Sequence, residues 1–443
     1  MFAFLYTLVI HLFVMVARFA AFFHKKTRKW VEGQKHITQL LKKKGSSFVI
    51  PNSSFTLWFH AASLGEFEQG RPVIEAVRKQ YPEATIVLTF FSPSGYEIRK
   101  DYDQVNVVSY LPADTPANVN RFLDTVQPDM ALFIKYEFWH NYLQELKKRH
   151  IPTLLFSAIF RPEQLFFKSY GGFYRNMLFC FNRILVQNRS SEELLHSVGY
   201  SQVTVAGDTR LDRVAQIAAQ AKTYPLLEAF KGSEPLLIAG SVWPDDMEVL
   251  IPFLNHRTQP LKVIIAPHEI NAEQIEKWQS QLQKSSVRFT IYRLESADSK
   301  SADSKEEKNN SFDILHSAFD ILFLDTVGML SSVYRYADFG YIGGAFGDGL
   351  HNILEPAVFG MPVFFGQPHY QKFQEAHDLL HLGGAATVAD STELETVFKD
   401  VYENPELRQQ KARICSQYIS QNAGATEKVM LIINEELLSG RPT

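Results

Sequence analysis

The stretch LWFHAASLGEFEQGRPVIEAVRKQYPEATIVLTFF (57–91) indicates the fold class of this 443-residue chain. It contains an apolar run, a turn with Gly65, a segment with helical spacing and a second apolar run, which predicts a β-α-β unit. Short apolar runs rich in β-branched and aromatic residues recur up to about residue 215, and a second series begins near Pro235. Because the runs are apolar on both faces, they predict parallel strands covered by helices.

The chain is longer than one hydrophobic core usually supports, so we expect two domains. We predict an anchoring segment at 1–24, an amino-terminal Rossmann-like domain at 25–220 and a carboxyl-terminal Rossmann-like domain at 221–443. The last helices of the second domain could cross back to the first. The predicted fold is therefore α/β, with two Rossmann-like domains that face a cleft at the carboxyl ends of their strands, where such folds bind ligands.

Two further segments of the second domain are predicted from their local pattern. The run RFTIYRL (288–294) is predicted to be a strand. The segment SADSKSADSKEEKNNS (296–311) has no apolar residue larger than alanine, so we expect a solvated surface loop.

The composition excludes several classes of protein. With 46% hydrophobic and 21% charged residues the chain is globular rather than disordered, and its net charge of -3 gives no indication of bulk nucleic-acid binding. Two cysteines, Cys180 and Cys415, without metal-type spacing fit a reducing compartment.

The first 23 residues, MFAFLYTLVIHLFVMVARFAAFF, are almost wholly apolar and would form a helix roughly 35 Å long, enough to cross a bilayer. Basic residues follow between Lys25 and Lys44, which predicts that the remainder of the chain lies in the cytoplasm. His11 and Arg18 interrupt the apolar run, so a helix that lies in the membrane interface is the alternative. Both interpretations predict membrane association.

Three polar residues follow predicted strands and are candidates for chemistry. Glu66, in HAASLGEFEQG (60–70), would lie at the amino terminus of a helix, and Glu137, in KYEFWHN (135–141), comes just after an apolar strand. Arg210, in GDTRLD (207–212), could donate hydrogen bonds to a phosphate or carboxylate. The alternatives are an acid that complements a helix dipole, a capping or ion-paired glutamate, and a surface arginine.

The stretch YIGGAFGDGLHNILEPAVFGMPVFFG (341–366) gives the most specific signal. A glycine-rich turn follows a strand, and a helix is expected to begin near His351 and Asn352, where free backbone N–H groups would face an anion. Glu355, four residues after His351, would lie on the same helical face and could accept hydrogen bonds from ribose hydroxyls.

The aromatic stretch LFFKSYGGFYRNMLFCF (165–181) contains Lys168 and Arg175 among its rings. Such a pattern suits either contact with lipid chains and phosphates or the core of a buried helix. The residues alone leave both interpretations open.

These motifs resemble, in order and spacing, those of the bacterial 3-deoxy-D-manno-octulosonic acid (Kdo) transferases, from the apolar amino terminus to the carboxyl terminus. The resemblance implies a GT-B glycosyltransferase fold and transfer of Kdo, with inversion, from CMP-Kdo to lipid IVA, the lipid A precursor. It implies no cofactor and no metal ion. The implied partners are CMP-Kdo, the lipid A precursor and membrane lipids, without nucleic acid, at the cytoplasmic face of the inner membrane.

The resemblance also assigns residues to roles. Glu66 falls on the catalytic base of the family's Ser-x-Gly-Glu motif, Glu137 on a second acid and Arg210 on a basic residue of the site. The residues implied in CMP binding are Pro267, His268, Val327, Gly328, Met329, Asn352, Ile353, Leu354 and Glu355. His268 stands where the family commonly has arginine, and Met329 where it commonly has glutamate.

Other functions remain compatible with two such domains and a glycine loop. A different membrane-tethered nucleotide-sugar transferase and a nucleotide-sugar epimerase are two of them. A binding protein that holds a nucleotide sugar without catalysis is the third, and for it a change at Glu66 should matter little.

Overall fold

The computed structural model describes residues 2–42, 55–299, 319–347 and 349–439. The chain forms two compact units, which we call unit 1 (Met1–Arg213 with Asn422–Thr443) and unit 2 (Val214–Gln421). Unit 1 ends at Arg213, before the predicted boundary at residue 220, and Asp212 accepts hydrogen bonds from the backbone N–H groups of Gly424 and Thr426 within this unit. The loop predicted at 296–311 is wrong for residues 296–299, which form the end of a helix that begins at Phe289, and from position 300 onward it lies outside the described residues.

Within the described residues, unit 1 contains a seven-stranded parallel sheet in the order β3-β2-β1-β4-β5-β6-β7. Its strands are β1 (Thr56–Ala61), β2 (Thr85–Phe90), β3 (Val107–Tyr110), β4 (Met130–Ile134), β5 (Thr153–Ala158), β6 (Arg183–Val186) and β7 (Val203–Val205). The prediction of parallel, buried strands is confirmed. The strand order reverses between β1 and β4, and sheets of this kind bind ligands beside such a reversal.

Helices cover both faces of this sheet. They are α1 (Phe2–Ala20), α2 (Lys25–Lys42), α3 (Leu64–Gln80), α4 (Pro93–Arg99), α5 (Pro116–Val126), α6 (His140–Lys148), α7 (Gly172–Leu178) and α8 (Arg189–Ser197). Helix α9 (Thr209–Ala219) begins in unit 1 and ends in unit 2. Successive residues of β1 point to opposite faces, so Trp58 and Phe59 are fully buried in two separate apolar clusters. The core of unit 1 therefore has two layers, one on each side of the sheet.

Unit 2 also contains, in its described part, a seven-stranded parallel sheet, in the order β10-β11-β9-β8-β12-β13-β14. Its strands are β8 (Leu236–Val242), β9 (Lys262–Pro267), β10 (Ser286–Arg288), β11 (Ile321–Phe323), β12 (Phe339–Ile342), β13 (Val363–Gly366) and β14 (Ala385–Val388). The order reverses between β8 and β12. The two sheets confirm the predicted α/β fold class.

The helices of unit 2 alternate with its strands. They are α10 (Pro225–Lys231), α11 (Pro244–His256), α12 (Ala272–Gln281), α13 (Phe289–Ser299), α14 (Leu330–Val333), α15 (Leu354–Ala357), α16 (Gln374–Leu382), α17 (Ser391–Glu403) and α18 (Pro405–Asn422).

The prediction of a strand at RFTIYRL (288–294) is wrong, because β10 ends at Arg288 and α13 begins at Phe289. The carboxylate of Asp325 accepts hydrogen bonds from the backbone N–H of Thr290 at 2.9 Å and from its hydroxyl. This satisfies donors in the first turn of the helix, so a tertiary contact overrides the β propensity of the local residues.

The last helix, α19 (Ala425–Ser439), packs on unit 1. Val429 and Ile433 are fully buried in the same apolar cluster as Phe59, and the hydroxyl of Tyr81 donates to Asn434 at 2.6 Å. Helix α19 is therefore part of the first core.

Helix α1 is long and apolar enough, by length and composition, to cross a membrane. One of its faces nevertheless packs along unit 1, where the hydroxyl of Tyr6 donates to Asp114 at 2.8 Å and the ring of Phe13 lies 5.5 Å from that of Trp30. The opposite face exposes large apolar side chains, such as Phe4 (76% exposed) and Phe19 (68% exposed). The helix lies against the domain over most of its length.

The aromatic stretch at 165–181 divides between core and surface. Phe166 is buried and its ring lies 4.6 Å from the ring of Phe138, and Phe181 is also buried. Tyr170 and Phe179 are exposed. The buried-core interpretation holds for Phe166, so a charged residue at this position would disrupt the core.

Candidate active site

Glu66 lies in the first turn of α3, directly after β1. The hydroxyl of Ser63 donates a hydrogen bond to the Glu66 carboxylate, which fixes the orientation of this half-buried side chain. The predicted position at the amino terminus of a helix is confirmed. Its role as a base stays a prediction, since helix-dipole complementation uses the same position.

Glu137 follows β4, the strand that pairs with β1 at the point where the sheet order reverses. It is buried, and its Oε2 lies 2.9 Å from Nε2 of His60 and accepts a hydrogen bond from Nε1 of Trp139 at 2.7 Å. Nδ1 of His60 lies 2.9 Å from the hydroxyl oxygen of Thr89 on β2. The side chain is thus held in a chain of polar contacts across three neighbouring strands.

Arg210 lies in the first turn of α9 and is paired with Asp208. Its Nε and Nη2 donate to Oδ2 of Asp208 at 2.9 and 2.6 Å, and its backbone N–H donates to Oδ1 at 2.9 Å. The half-buried guanidinium is therefore not the freely solvated surface arginine of the alternative interpretation.

Tyr136 indicates that these residues lie close together. Burial raises the pKa of its hydroxyl, and the charges of Arg161, Glu66, Arg210 and Asp208 also act on it. Electrostatic effects on a pKa weaken with distance, so Glu66 and Arg210 both lie near Tyr136. Tyr136 is the neighbour of Glu137 in the chain. The structure thus brings all three predicted catalytic residues to one end of the unit 1 sheet.

Two non-glycine residues at this end of the sheet have a left-handed backbone. Lys135 has a φ of 69° and Ser157 a φ of 53°. Each such residue costs of the order of 1–3 kcal/mol and persists where its surroundings hold it. Here Lys135 N–H donates to Phe156 O at 2.9 Å, and the hydroxyl oxygens of Ser157 and Thr209 lie 2.9 Å apart. Strain of this kind is concentrated at functional sites, which supports a site here.

A cluster of three rings, which we call the aromatic platform (Trp243, His268 and His351), lies at the carboxyl ends of the central strands of unit 2. Nε1 of Trp243 donates to Nε2 of His351 at 2.8 Å, and the two rings are nearly parallel, with an interplanar angle of 10°. The His268 ring stacks on both, with centroids 4.2 Å from Trp243 and 4.6 Å from His351.

The protonation of His351 follows from this geometry. Burial, with a smaller effect of His268, lowers its pKa to about 4. Because Nε2 accepts the Trp243 hydrogen bond, the proton of the neutral ring is on Nδ1. At neutral pH His351 is therefore an uncharged ring that can donate a hydrogen bond from Nδ1.

The glycine loop after β12 is held by a buried acid. Oδ2 of Asp246 accepts hydrogen bonds from the backbone N–H groups of Trp243 at 2.8 Å and Gly344 at 2.9 Å. A Cβ at Gly343 would lie 2.5 Å from Ser241 O, so only glycine fits there. Asp246 thereby fixes the loop against the start of α11.

The helix expected near His351 and Asn352 is α15, which begins at Leu354 and ends at Ala357, so the prediction that His351 shares a helical face with Glu355 is wrong. The backbone N–H of His351 donates to Gly343 O at 3.1 Å, and this ties the segment to the glycine loop instead. Oδ1 of Asn352 accepts from Leu354 N at 3.2 Å, and its Nδ2 donates to Glu355 at 3.2 Å.

The residues implied in CMP binding all lie in segments that follow strands of unit 2. The side chains of Ile353 and Leu354 are buried in the core, so only their backbone groups can contact a ligand. Val327 is 90% exposed to solvent. Met329 is held by its neighbour Thr326, whose hydroxyl donates to the Met329 sulfur at 2.9 Å. The remaining members of the set are Pro267 at the end of β9, His268 in the aromatic platform, Gly328 with a φ of 82°, and Asn352 bonded to Glu355.

The sequence did not identify several residues that shape these sites. No local pattern marks Trp243 or Asp246, and His60 and Trp139 lie in the motifs of Glu66 and Glu137 without a signal of their own. Their partners are distant in the chain, so no local spacing reveals them. The available signal was the position of Trp243 directly after an apolar run, where ligand-facing residues of α/β folds occur.

The architecture is shared with solved structures. UDP-GlcNAc 2-epimerase from Neisseria meningitidis aligns with a TM-score of 0.58 and 15% identity over 87% of this chain and 100% of its own. MurG of Acinetobacter baumannii aligns with a TM-score of 0.55 and 14% identity over 86% of this chain and 99% of its own length. These similarities show the fold, which is that of the GT-B glycosyltransferases and related epimerases.

Sequence comparison narrows this class. Residues 24–213 match the family model described as 3-deoxy-D-manno-octulosonic-acid transferase (kdotransferase). The 3-deoxy-D-manno-octulosonic acid transferase of Chlamydophila psittaci is 25% identical over 81% of this chain and 80% of its own length. That of Haemophilus influenzae is 24% identical over 86% of this chain and 87% of its own length. The resemblance to the Kdo transferases that the motifs predicted is confirmed.

Proposed function

We propose that this protein is an inverting glycosyltransferase that moves Kdo from CMP-Kdo to lipid IVA, the lipid A precursor, at the cytoplasmic face of the inner membrane. The observation that carries the proposal is the position of Glu66. It lies at the end of β1, beside the reversal of strand order, in a chain similar to Kdo transferases. Its carboxylate is oriented by Ser63.

In the proposed reaction an acceptor hydroxyl attacks the anomeric carbon of Kdo. The new C–O bond forms as the bond from that carbon to the CMP phosphate oxygen breaks, and the phosphate leaves with the bonding electrons. Glu66 takes the proton of the attacking hydroxyl, which makes the oxygen nucleophilic as it attacks. No residue of the protein becomes covalently bound to the sugar.

Glu137 and Arg210 are assigned supporting roles. Oε2 of Glu137 is engaged by His60 and Trp139, so we assign Oε1 to orient the acceptor sugar. Arg210, held by Asp208, supplies a cation for the anionic groups of the substrates.

The donor is assigned to the segments at the carboxyl ends of the unit 2 strands. The aromatic platform offers flat ring faces, and aromatic faces stack well on nucleotide bases. Nδ1–H of His351 is an uncharged donor, and His268 takes the position at which the family commonly has arginine. We propose that no metal ion or cofactor takes part, so a chelator should leave the rate unchanged.

Membrane association is assigned to α1. Its exposed apolar face and the basic residues that follow, among them Lys25, Lys26 and Arg28, suit a phospholipid surface. Since its other face packs on unit 1, we propose that α1 lies in the interface rather than crossing the bilayer. The enzyme would then meet its lipid acceptor in the plane of the membrane.

The test supplies CMP-Kdo and lipid IVA to purified wild-type protein and to Glu66→Gln. Loss of a general base should lower kcat by about 100-fold to 10,000-fold. Glu68→Gln is the matched control, because Glu68 lies in the same helix and is paired with Arg99 at its surface. Equal activity of wild type and Glu66→Gln would contradict the assignment of the base, and an inactive wild type would contradict the reaction.

The likeness to UDP-GlcNAc 2-epimerase in fold makes epimerisation the second candidate. An epimerase acts without an acceptor. Incubation with UDP-GlcNAc alone, followed by chromatography of the product, distinguishes the two, and conversion of UDP-GlcNAc would favour the epimerase.

A further inference from the structure

A groove of about 470 Å³ lies between α1, α2 and the start of α5 in unit 1. Its lining includes His11, Arg18, Trp30 and Lys35, together with Asn118. Glu66, Glu137 and Arg210 do not line the groove, and the proposed reaction gives it no role.

The groove carries positive charge that the described part of the chain does not neutralise. Arg18 and His11 lie two turns apart on one face of α1, and Lys35 faces them from α2. No acidic residue lines the groove among the described residues, and within them Arg18 and Lys35 have no carboxylate partner. An anionic ligand therefore fits its charge.

Trp30 gives a second, independent indication of a ligand. It is 5% exposed, and its ring is held between Phe13 at 5.5 Å and Phe91 at 5.7 Å. Its indole Nε1 is buried and has no hydrogen-bond acceptor in the described part of the chain. Because buried donors are almost always satisfied and Trp30 lines the groove, its N–H is suited to an oxygen of a bound group.

The shape of the groove is fixed by hydrogen bonds on the α2 side. Nε2 of Gln34 donates to Leu111 O at 2.7 Å, and its Oε1 accepts from Ala113 N at 2.9 Å. The groove is therefore built into unit 1 rather than formed by loose side chains.

The apolar surface next to the groove identifies the ligand class. On α1 the side chains of Leu12, Met15 and Phe19 are about half or more exposed, on the same helix that supplies Arg18. A phosphate in the groove would meet Arg18, Lys35 and Trp30 N–H, and acyl chains attached to it would cover the exposed apolar side chains. We propose that the groove binds the phosphate of one anionic phospholipid and thereby seats the protein on its membrane.

The test is native mass spectrometry of the full-length protein in non-ionic detergent, titrated with phosphatidylglycerol or phosphatidylcholine. Wild type should retain one phosphatidylglycerol with at least about tenfold preference, and Arg18→Gln with Lys35→Gln should weaken its binding by about tenfold or more. Trp30→Phe keeps an aromatic ring, although a smaller one, and removes the indole N–H donor, so it should weaken binding by about threefold to tenfold. The charge-matched control is Lys79→Gln with Lys100→Gln, two exposed lysines of unit 1 that do not line the groove, and it should retain the lipid.

Several outcomes would overturn the proposal. The first two are equal weakening of lipid binding by the control pair and no preference for phosphatidylglycerol over phosphatidylcholine. Displacement of the lipid by millimolar inorganic phosphate would indicate a free-anion site. Displacement of the lipid by equimolar lipid IVA would assign the groove to the acceptor. If the double variant at Arg18 and Lys35 loses its far-ultraviolet circular dichroism and is therefore unfolded, the test rests on Trp30→Phe. Unchanged affinity of Trp30→Phe for phosphatidylglycerol would also refute the proposal. Kdo transfer plays no part in this readout, so its failure and that of the proposed function are distinguishable.

Discussion

Asp114 caps a helix to which it does not belong, and its removal should loosen the segment that carries Glu137. Its Oδ2 accepts from the backbone N–H of Asn141 and its Oδ1 from that of Tyr142, both at 3.0 Å. These are N–H groups in the first turn of α6, whose own N-cap residue, Trp139, makes no side-chain cap bond. Asp114 therefore supplies from another part of the chain the acceptors that an N-cap residue usually provides.

The size of the effect follows from these contacts. Loss of an N-cap acceptor costs about 0.5–2 kcal/mol, so Asp114→Ala should open the first turn of α6 roughly 2-fold to 30-fold more often. Asp114 also accepts from the Tyr6 hydroxyl at 2.8 Å, and a hydrogen bond to a charged group contributes about 1.5–3 kcal/mol. Tyr6→Phe removes this second contact, together with the long hydrogen bond of 3.4 Å that the Tyr6 hydroxyl accepts from His140 N–H, and keeps the Asp114 bonds to Asn141 and Tyr142.

Amide hydrogen exchange, followed by mass spectrometry of the peptide that contains Asn141 and Tyr142, measures the prediction. Exchange should accelerate by the stated factor in Asp114→Ala and by less than about threefold in Tyr6→Phe. Unchanged exchange in Asp114→Ala would refute the capping role. Equal acceleration in both variants would assign the effect to the docking of α1 instead.

The pH dependence gives an independent check on Asp114. Burial raises its pKa to about 6, against the hydrogen bonds from Tyr6, Asn141 and Tyr142, which lower it. Because the folded pKa lies above the unfolded value, the native state holds an extra proton between about pH 4 and 6, and stability falls as pH rises through this window. The total is of the order of 3 kcal/mol. Asp114→Asn should abolish this part of the pH dependence in urea denaturation, and an unchanged pH profile would contradict it.

Three further substitutions test the sites and the core. Glu137→Gln keeps the shape of the side chain that contacts His60 and Trp139 but removes its negative charge, and it should lower kcat about 100-fold. A normal kcat would exclude a role for the charge of Glu137. His268→Gln should raise the pKa of His351 from about 4, because His268 contributes to lowering that pKa. Nitrogen NMR of the His351 ring would measure the pKa and would also show whether the proton is on Nδ1. Since the folded pKa of His351 is depressed, its contribution to stability is lost as pH falls from about 6.5 toward 4. Phe166→Ala should lower the free energy of unfolding of unit 1 by about 3–5 kcal/mol, with the exposed Tyr170→Ala as a near-neutral control in the same urea titration.

The sequence by itself determined the local elements and their order. Apolar runs at the period of a buried strand alternate with helical spacing, and this predicted two parallel sheets before any contact was known. It also placed Glu66 and Glu137 directly after strands. Because parallel strands all end at one edge of the sheet, this predicted that both residues lie at that edge. The apolar character of α1 was equally visible, since it depends on composition alone.

Only the tertiary structure decided which of these positions meet. Strand β1 pairs with β4 as well as with β2, the next strand in the sequence, and the pairing with β4 brings His60 to Glu137. No local spacing in the sequence encodes this strand order. In the same way Trp243, His268 and His351 come from three separate loops. Asp325 converts a strand-like run into α13, and the glycine loop holds His351 outside a helix. Periodicity records the environment of each residue along one element, whereas these contacts depend on strand order and on hydrogen bonds between distant segments.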